Sequence, residues 1–586
     1  MNELLPANYS GGVYRPADFA TLTEALDYAA LGNAGLDFYS GKGDLLQTLR
    51  YRDLRNQARS LARRMRSAGL VQGERVAILA DTDADFVLAF FASQYAGLVP
   101  AAMPLPTAFG GKAGYISHIR RMIESSGASA VLCPGALLEM TQQAASGLGL
   151  KAAGTLEIFD GFADDGAPLP EITPQHLSYL QYSSGSTRFP LGVAVTQRAL
   201  MSNCRAITQH GLKIIETDRC VSWLPFYHDM GLVGFLLVPV TTQMSVDYVA
   251  TREFARRPMI WPTLISRNGG TLSFSPSFGY DLCARRAASG VRADNLDLSR
   301  WRVAGIGGDM IREKVLSNFA EIFSPDGFRR EAFVASYGMA EATLAISFAP
   351  LATGIKTDHV DLDQLEAAAI AEPVKRNGAA GPRSRSFVNC GKVLPGHELE
   401  IRDADGNLLG ERMAGRVMVR GPSLMQEYFG NHEETSRALS QDGWLDTGDL
   451  GYLIDGSLVI TGRSKDLILI NGRNVWPQDL EWAVEQEVDG VRSGDVAAFS
   501  IDEAAAERVV LMAHCRKTNE SEREDLRQAI IETIRVRAGL DCEVMLVAPH
   551  SLPQTSSGKL SRTQARQLYL SGAGGSGAPT NAHRQA

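Results

Sequence analysis

Cysteine is scarce in this sequence and never paired. Seven occur in 586 residues, at positions 133, 204, 220, 283, 390, 515 and 542, and no two stand at CxxC spacing. That pattern argues against a thiolate metal site and against a disulfide framework. Each is read as a small buried hydrophobe in a reducing compartment, the cytoplasm. Long hydrophobic runs are missing too. The most apolar stretch, 231–240, is about half of what a bilayer crossing needs, so no transmembrane segment is read. The opening MNELLPANYSGG has no basic start followed by an apolar stretch, which argues against a signal peptide. Positive charge is not in excess. The formal net charge is -8, and a nucleic-acid partner would demand clustered cations. There is no GxxxxGK[ST] phosphate loop, and GIGGDM at 305–310 lacks the GxGxxG spacing of a dinucleotide site.

What is present is an ordinary globular composition, with 45% hydrophobic and 21% charged residues. The length implies about two to four domains. Strand-like and helix-like stretches alternate: RVAILA at 75–80, a helical spacing over 83–95, then a strand over 97–103. The pattern recurs over 176–208, 271–287 and 301–323. Alternation of this kind predicts βαβ units on a parallel sheet, with ligands beyond the carboxyl ends of its strands. The fold class is α/β. A large multi-sheet domain is expected over residues 1–462, interrupted by an insertion at about 351–386. A smaller α+β domain is expected over 465–570, and the Gly/Ala-rich residues 571–586 read as a disordered tail.

Four segments carry candidate chemistry. The loop 183–192 (SSGSTRFPLG) follows a strand and offers glycines, hydroxyls and backbone N–H groups to an anion. By itself, such a loop is more often a plain turn. At 336–341 (SYGMAE) an apolar strand is expected to give way to a helix, with Tyr337 able to stack on a base and Glu341 able to hold Mg²⁺ through oxygen. The alternative is a helix-start carboxylate favoured by the macrodipole. The turn 442–451 (DGWLDTGDLG) presents carboxylates suited to ribose hydroxyls, or is merely a Gly/Asp turn. Lys559, in TSSGK at 555–559, is either a solvated surface lysine or a cation for developing negative charge.

Together, and in this order, the four resemble the adenylate-forming superfamily of acyl-CoA synthetases, non-ribosomal adenylation domains and luciferases. The resemblance covers about residues 20–570. LQYSSGSTR at 180–188, WLPFYHDMGL at 223–232, YGMAEATL at 337–344 and KDLILINGRNVWPQDLE at 465–481 narrow it to the fatty acyl-AMP ligases. The 351–386 segment falls where that family carries its own insertion. The resemblance implies ATP-dependent activation of a fatty acid to an acyl-adenylate, with pyrophosphate released. The acyl group then passes to the phosphopantetheine arm of an acyl carrier protein rather than to free coenzyme A.

The resemblance also implies roles for individual residues. Ser184, Gly185, Ser186 and Thr187 would contact the ATP phosphates, and Glu341 with Thr187 would hold Mg²⁺. Gly308, Asp309, Ser336, Tyr337, Gly338 and Met339 would form the adenine pocket, and Asp449 and Arg463 would bind the ribose. His228 would stand near the reacting carboxylate, and Lys559 would bridge it to the α-phosphate. Lys465 would be the hinge on which a mobile small domain turns. Met230, Gly231, Leu232, Gly234, Ser277 and Phe278 are the expected acyl pocket, with core packing as the competing reading. Arg188 stands where the wider superfamily commonly has glycine, and Leu191 where it commonly has lysine, so the loop lacks a cation. A coenzyme A-using ligase is the nearest rival. An amino-acid-activating domain is less favoured, since Asp229 is the only acidic group near His228 to meet a substrate ammonium.

Overall fold

The computed structural model describes residues 13–106, 111–183, 190–374, 383–470, 473–503, 506–554 and 560–572. Ser184, Gly185, Ser186, Thr187 and Lys559 therefore lie outside the described residues, as does the expected tail from 573.

Two large sheets form the body. One has seven strands, in the order 427–428, 192–196, 177–182, 99–103, 75–79, 128–132 and 152–154. The strands from 177–182 to 152–154 run parallel, as the alternation predicted. The second has fourteen strands. Its parallel part places Phe333–Gly338, Val303–Ile306, Leu272–Ser275, Arg219–Ser222, Ser245–Val249 and Gly35–Tyr39 side by side. Antiparallel strands extend it through Ala345–Phe348 and Ser384–Val393 to the hairpin Leu445–Ile454/Ser457–Arg463.

Local chemistry sets these elements. The helix Ala84–Ala96 starts where Asp83 accepts from the Phe86 N–H at 2.9 Å, and ends where Gly97 turns left-handed at φ +71°. Its apolar residues are spread around the axis, and eleven of its 13 residues are buried, with Asp85 left exposed. Burial pushes the Asp83 carboxyl up to about 6. The two sheets are joined by side-chain amides. Asn203 accepts from the Ala345 N–H at 3.0 Å and donates to the Ala345 carbonyl at 2.8 Å. Gln181 donates to the Tyr227 carbonyl at 2.8 Å.

One expected element differs. Beyond Tyr337 no helix opens. The strand Phe333–Gly338 passes through a single 3₁₀ turn, Ala340–Ala342, and returns as the antiparallel strand Ala345–Phe348. Two features force the reversal. Thr343 adopts φ +69°, and a Cβ on Gly338 would stand 1.9 Å from the Leu344 carbonyl oxygen, so only glycine permits the close crossing. Glu341 thus sits in a hairpin turn, not at the positive end of a helix.

Beyond Arg463 the chain forms a strand pair, Ile468–Ile470/Arg473–Val475, and a three-stranded sheet, Val496–Glu503, Ala506–His514 and Cys542–Val547. The helices Pro477–Glu487 and Glu520–Ala538 pack on that sheet around a core of their own. Side chains tie this unit to the body. Arg312 donates to Glu485 and Ser493, both at 2.7 Å, and lies 4.9 Å over the Trp482 ring. Arg385 donates to Asp479 at 2.9 Å. Within the 351–386 stretch, the helix Leu362–Ala368 presents a buried Glu366, which accepts from Arg383 at 3.0 and 3.1 Å and from Arg473 at 2.6 and 2.9 Å.

All seven cysteines are free thiols, six of them buried. Among the described residues, no helix is long and apolar enough to cross a membrane.

Candidate active site

A cavity of about 610 Å³ opens at the carboxyl ends of the second sheet's parallel strands. Most of the residues expected at a site meet there. Gly308, Ser336, Tyr337, Gly338, Met339, Glu341, Asp449, Arg463, His228 and Lys465 all line it. Asp309 does not. Its side chain is exposed and accepts from the Met310 N–H at 2.8 Å, although its charge acts on Arg463 and Arg562 nearby.

Polar groups gather at the mouth. The Tyr337 hydroxyl donates to Asp449 at 2.7 Å, and Arg463 approaches the other Asp449 oxygen at 3.5 Å. Burial, then the Asp449 charge, pushes the Tyr337 phenol well above its ordinary range. Asp449 is therefore aimed by a ring that is itself fixed, and it keeps acceptor capacity for a ligand's hydroxyls. A Cβ on Gly307 would lie 2.9 Å from the Ser336 carbonyl oxygen, so the chain there is packed backbone to backbone.

Glu341 is 6% exposed and accepts from the Tyr428 hydroxyl at 2.8 Å. Burial raises its carboxyl, opposed by the Tyr428 hydrogen bond. The backbone is pinned as well, because the Met425 N–H donates to the Glu341 carbonyl at 2.8 Å. His228 Nδ1 lies 2.7 Å from Asp229 Oδ1, and the Met230 N–H donates to the same oxygen at 2.8 Å. The Met230 N–H also lies 3.3 Å from His228 Nδ1, and His228 lines the cavity beside this cluster.

From the mouth the cavity continues between apolar side chains: Met230, Gly234, Phe235, Val238, Met244, Leu272, Phe274, Leu344, Phe348, Ile207, Leu212, Ile214 and Cys220. Met230 and Gly234 fall where the acyl pocket was expected. Gly231, Leu232, Ser277 and Phe278 are not in the lining. A Cβ on Gly231 would meet the Pro225 carbonyl oxygen at 2.1 Å, and Leu232 is wholly buried. Phe278 packs edge-on against Trp223, and Ser277 accepts from the Arg312 N–H at 3.2 Å. The segment past His228 is π-helical over Met230–Leu237, and a second π-helix covers Ile207–Gly211. Wide turns of this kind are frequent at functional sites, and both border the apolar part. Gly305 is what admits Phe274, whose ring lies 2.1 Å from where a Cβ would be.

Sequence reasoning missed Tyr428, Arg416, Asp446 and the whole far wall around Ile207–Ile214. Asp446 stands in the 442–451 turn already singled out, and its pairing with Arg416 at 3.2 Å was not visible. Nothing near Tyr428 in the sequence points to Glu341, 87 residues away. Among the described residues no cluster of three or more His, Cys, Asp or Glu is placed to hold a metal ion.

The chain resembles known proteins in sequence and in fold. The AMP-binding enzyme family matches residues 29–429. A protein of Caulobacter vibrioides named "Putative acyl-CoA synthetase" is 51% identical over 95% of this chain and 96% of its own. The long-chain-fatty-acid–AMP ligase FadD32 of Mycolicibacterium smegmatis is 31% identical over 92% of this chain and 91% of its own. A structure solved in work on fatty acyl-adenylate ligases from E. coli and L. pneumophila superposes with a TM-score of 0.90 at 44% identity, covering 96% of this chain and 100% of that one. The chain belongs to the AMP-binding enzyme family, and its fold is that of the fatty acyl-adenylate ligases.

Proposed function

We propose that this protein uses ATP to convert a fatty acid into its acyl-adenylate and then passes the acyl group to the phosphopantetheine thiol of a carrier protein. The observation that carries the reading is the continuity of the cavity. A mouth bearing Asp449, Tyr337, Glu341 and His228 runs without a break into a wall of aliphatic and aromatic side chains. A nucleotide and a fatty acid carboxylate can meet in one enclosure only if it has both characters.

In the first half-reaction, a carboxylate oxygen attacks the α-phosphorus of ATP. An acyl O–P bond forms, the bond to the β-phosphate bridging oxygen breaks, and pyrophosphate leaves. Asp449, held by Tyr337, accepts from ribose hydroxyls. His228 lies beside the entering carboxylate. Glu341 offers a hard oxygen ligand that fits Mg²⁺, and one protein carboxylate suits an ion held mostly through phosphates and water. Bound there, Mg²⁺ supplies neutralisation of phosphate charge. Lys559, outside the described residues, supplies the second positive charge at the α-phosphate. In the second half-reaction, the thiol sulfur attacks the acyl carbon and AMP leaves.

The carrier acceptor is supported by the family resemblance and by the ties between the 351–386 stretch and the small unit. The name of the Caulobacter relative favours coenzyme A instead. The deciding experiment measures pyrophosphate release across a series of fatty acids, then acyl transfer to holo carrier protein and to coenzyme A. Transfer to coenzyme A at equal or greater efficiency overturns the carrier reading. Adenylation that survives Lys559→Ala undiminished removes that lysine from the mechanism.

A further inference from the structure

The far end of the cavity is lined by the chain that follows Ile207–Gly211. Leu212 and Ile214 face inward and line it, whereas Lys213 and Ile215 between and beyond them face solvent, Ile215 at 52% exposure. The bent segment 212–214 stands between the apolar tunnel and the outer face of the protein there. Cys220 and Leu272, neighbours in the sheet register, and Met244, whose sulfur lies 3.8 Å from that of Cys220, form the adjoining wall. The strand register places this end roughly five residues below Tyr337, or about 16–17 Å at a rise of ~3.3 Å per residue.

Such a stretch would not hold its shape through packing alone. Lys213 sits at φ +45°, a conformation disfavoured for a residue with a side chain. The Leu212 and Ile214 N–H groups donate back to the Ile207 and Thr208 carbonyls at 2.7 and 2.9 Å, and the carbonyls of the segment are held from outside. Arg302 donates to the Leu212 carbonyl at 3.1 Å and the Lys213 carbonyl at 3.2 Å, and the Tyr14 hydroxyl donates to the Ile214 carbonyl at 3.2 Å. Three consecutive carbonyls are therefore occupied. Arg302 is fixed in turn by Asp218, whose carboxylate is 1% exposed and which also accepts from Thr271 at 2.7 Å and from the Ile215 N–H at 2.9 Å. The same carboxylate thus anchors the arginine and the chain that the arginine grips.

We propose that Arg302 and Asp218 set the acyl chain length this protein accepts, by clamping Leu212–Ile214 as the floor of the tunnel. The proposal rests on the fatty-acid reading above. Arg302 acts through the floor and touches no substrate, so it is a positioning residue. An acid that falls short of the floor does not feel the clamp. An acid two methylenes too long must push the floor into solvent, a penalty worth roughly tenfold in kcat/KM.

The test is the adenylation profile of the full-length protein from octanoic to stearic acid, for wild type, Ile214→Ala, Ile214→Phe and Arg302→Met. Ile214→Ala should move the optimum to longer acids and Ile214→Phe to shorter ones. Arg302→Met should reduce discrimination against overlong acids by about tenfold. Arg302→Met, which alters no residue of the tunnel lining, should leave kcat/KM for the shortest acids unchanged, which general damage to the fold would not do. If Arg302→Met does not fold, Arg302→Lys takes its place, since it keeps the charge and loses the reach to both carbonyls. An unchanged profile in both Ile214 variants overturns the floor. A moved profile in those variants with wild-type discrimination in the Arg302 variant overturns the clamp. Failure of the wild type to activate any fatty acid overturns the underlying function and is recognised before any variant is made.

Discussion

Tyr428 and Glu341 form a pair across the cavity wall, the phenol donating to the carboxylate at 2.8 Å. Glu341 is almost completely buried, and burial disfavours its charged form. The Tyr428 hydrogen bond opposes this most, ahead of a backbone N–H and Arg463, so it helps maintain the acceptor that the proposed Mg²⁺ site needs. Tyr428→Phe removes the hydroxyl and keeps the ring. The expected result is a rise of roughly tenfold in the Mg²⁺ concentration for half-maximal adenylation, the usual size of an outer-sphere effect on metal affinity. A titration of adenylate formation against Mg²⁺ checks it, with Mn²⁺ binding followed by electron paramagnetic resonance as a readout independent of turnover.

Gly338 gives a prediction of a different kind. Its Cβ position is occupied by the Leu344 carbonyl oxygen at 1.9 Å and by Ala345 Cα at 2.9 Å, both backbone atoms that no side-chain rotation can clear. Gly338→Ala should therefore open the hairpin that carries Tyr337 and Glu341. The expected cost is roughly 1–3 kcal/mol of stability, together with a loss of adenylation larger than any loss of folding. Thermal unfolding and single-turnover adenylate formation, measured on the same preparation, separate the two.

The sequence made some of this visible and concealed the rest, for physical reasons. The βαβ units were readable because buried parallel strands and amphipathic helices leave periodic signatures, and the strands Arg75–Leu79 and Val99–Met103 fall close to the 75–80 and 97–103 stretches read from the sequence. The hairpin after Tyr337 was misread as a helix start because its signal is a close backbone crossing, and no residue pattern announces that. His228, Tyr337, Glu341 and Asp449 were legible because they stand in short contiguous motifs, whereas Arg463 stands in none of them and entered only through the resemblance. The far wall of the tunnel was not, because Ile207, Leu212, Ile214 and Cys220 look in sequence like any other core residues. Arg302 and Asp218 are 84 positions apart and meet only through the sheet.

Glu366 links the 351–386 stretch to the small unit. Two arginines, Arg383 from the body and Arg473 from beyond Lys465, share its carboxylate. Glu366→Ala leaves both cations without that partner and should free the strand pair that carries Arg473. Faster proteolytic cleavage between about 465 and 480 is expected, as is an increase of roughly fivefold in acyl transfer to coenzyme A relative to carrier protein. Cleavage and acceptor preference that match the wild type would show that the carboxylate does not restrain the small unit.

Glu485 makes the same boundary sensitive to pH. Burial pushes its carboxyl up to about 7 from an ordinary 4.5, against the opposing pull of Arg312. In the unfolded chain it releases its proton near 4.5, whereas in the folded chain it keeps it until about 7. Between those values the folded state binds more protons, so stability falls as pH rises. The contribution is fully present below 4.5 and is lost through 7. Glu485→Gln is neutral at every pH and can still accept from Arg312, so its melting temperature should change less with pH across that window than the wild type's. Asp479, pushed up to about 6 by burial, titrates in both proteins and cancels from the difference. Parallel curves for the two proteins would mean that Glu485 is already ionised in the folded chain and that Arg312 holds it as a full ion pair.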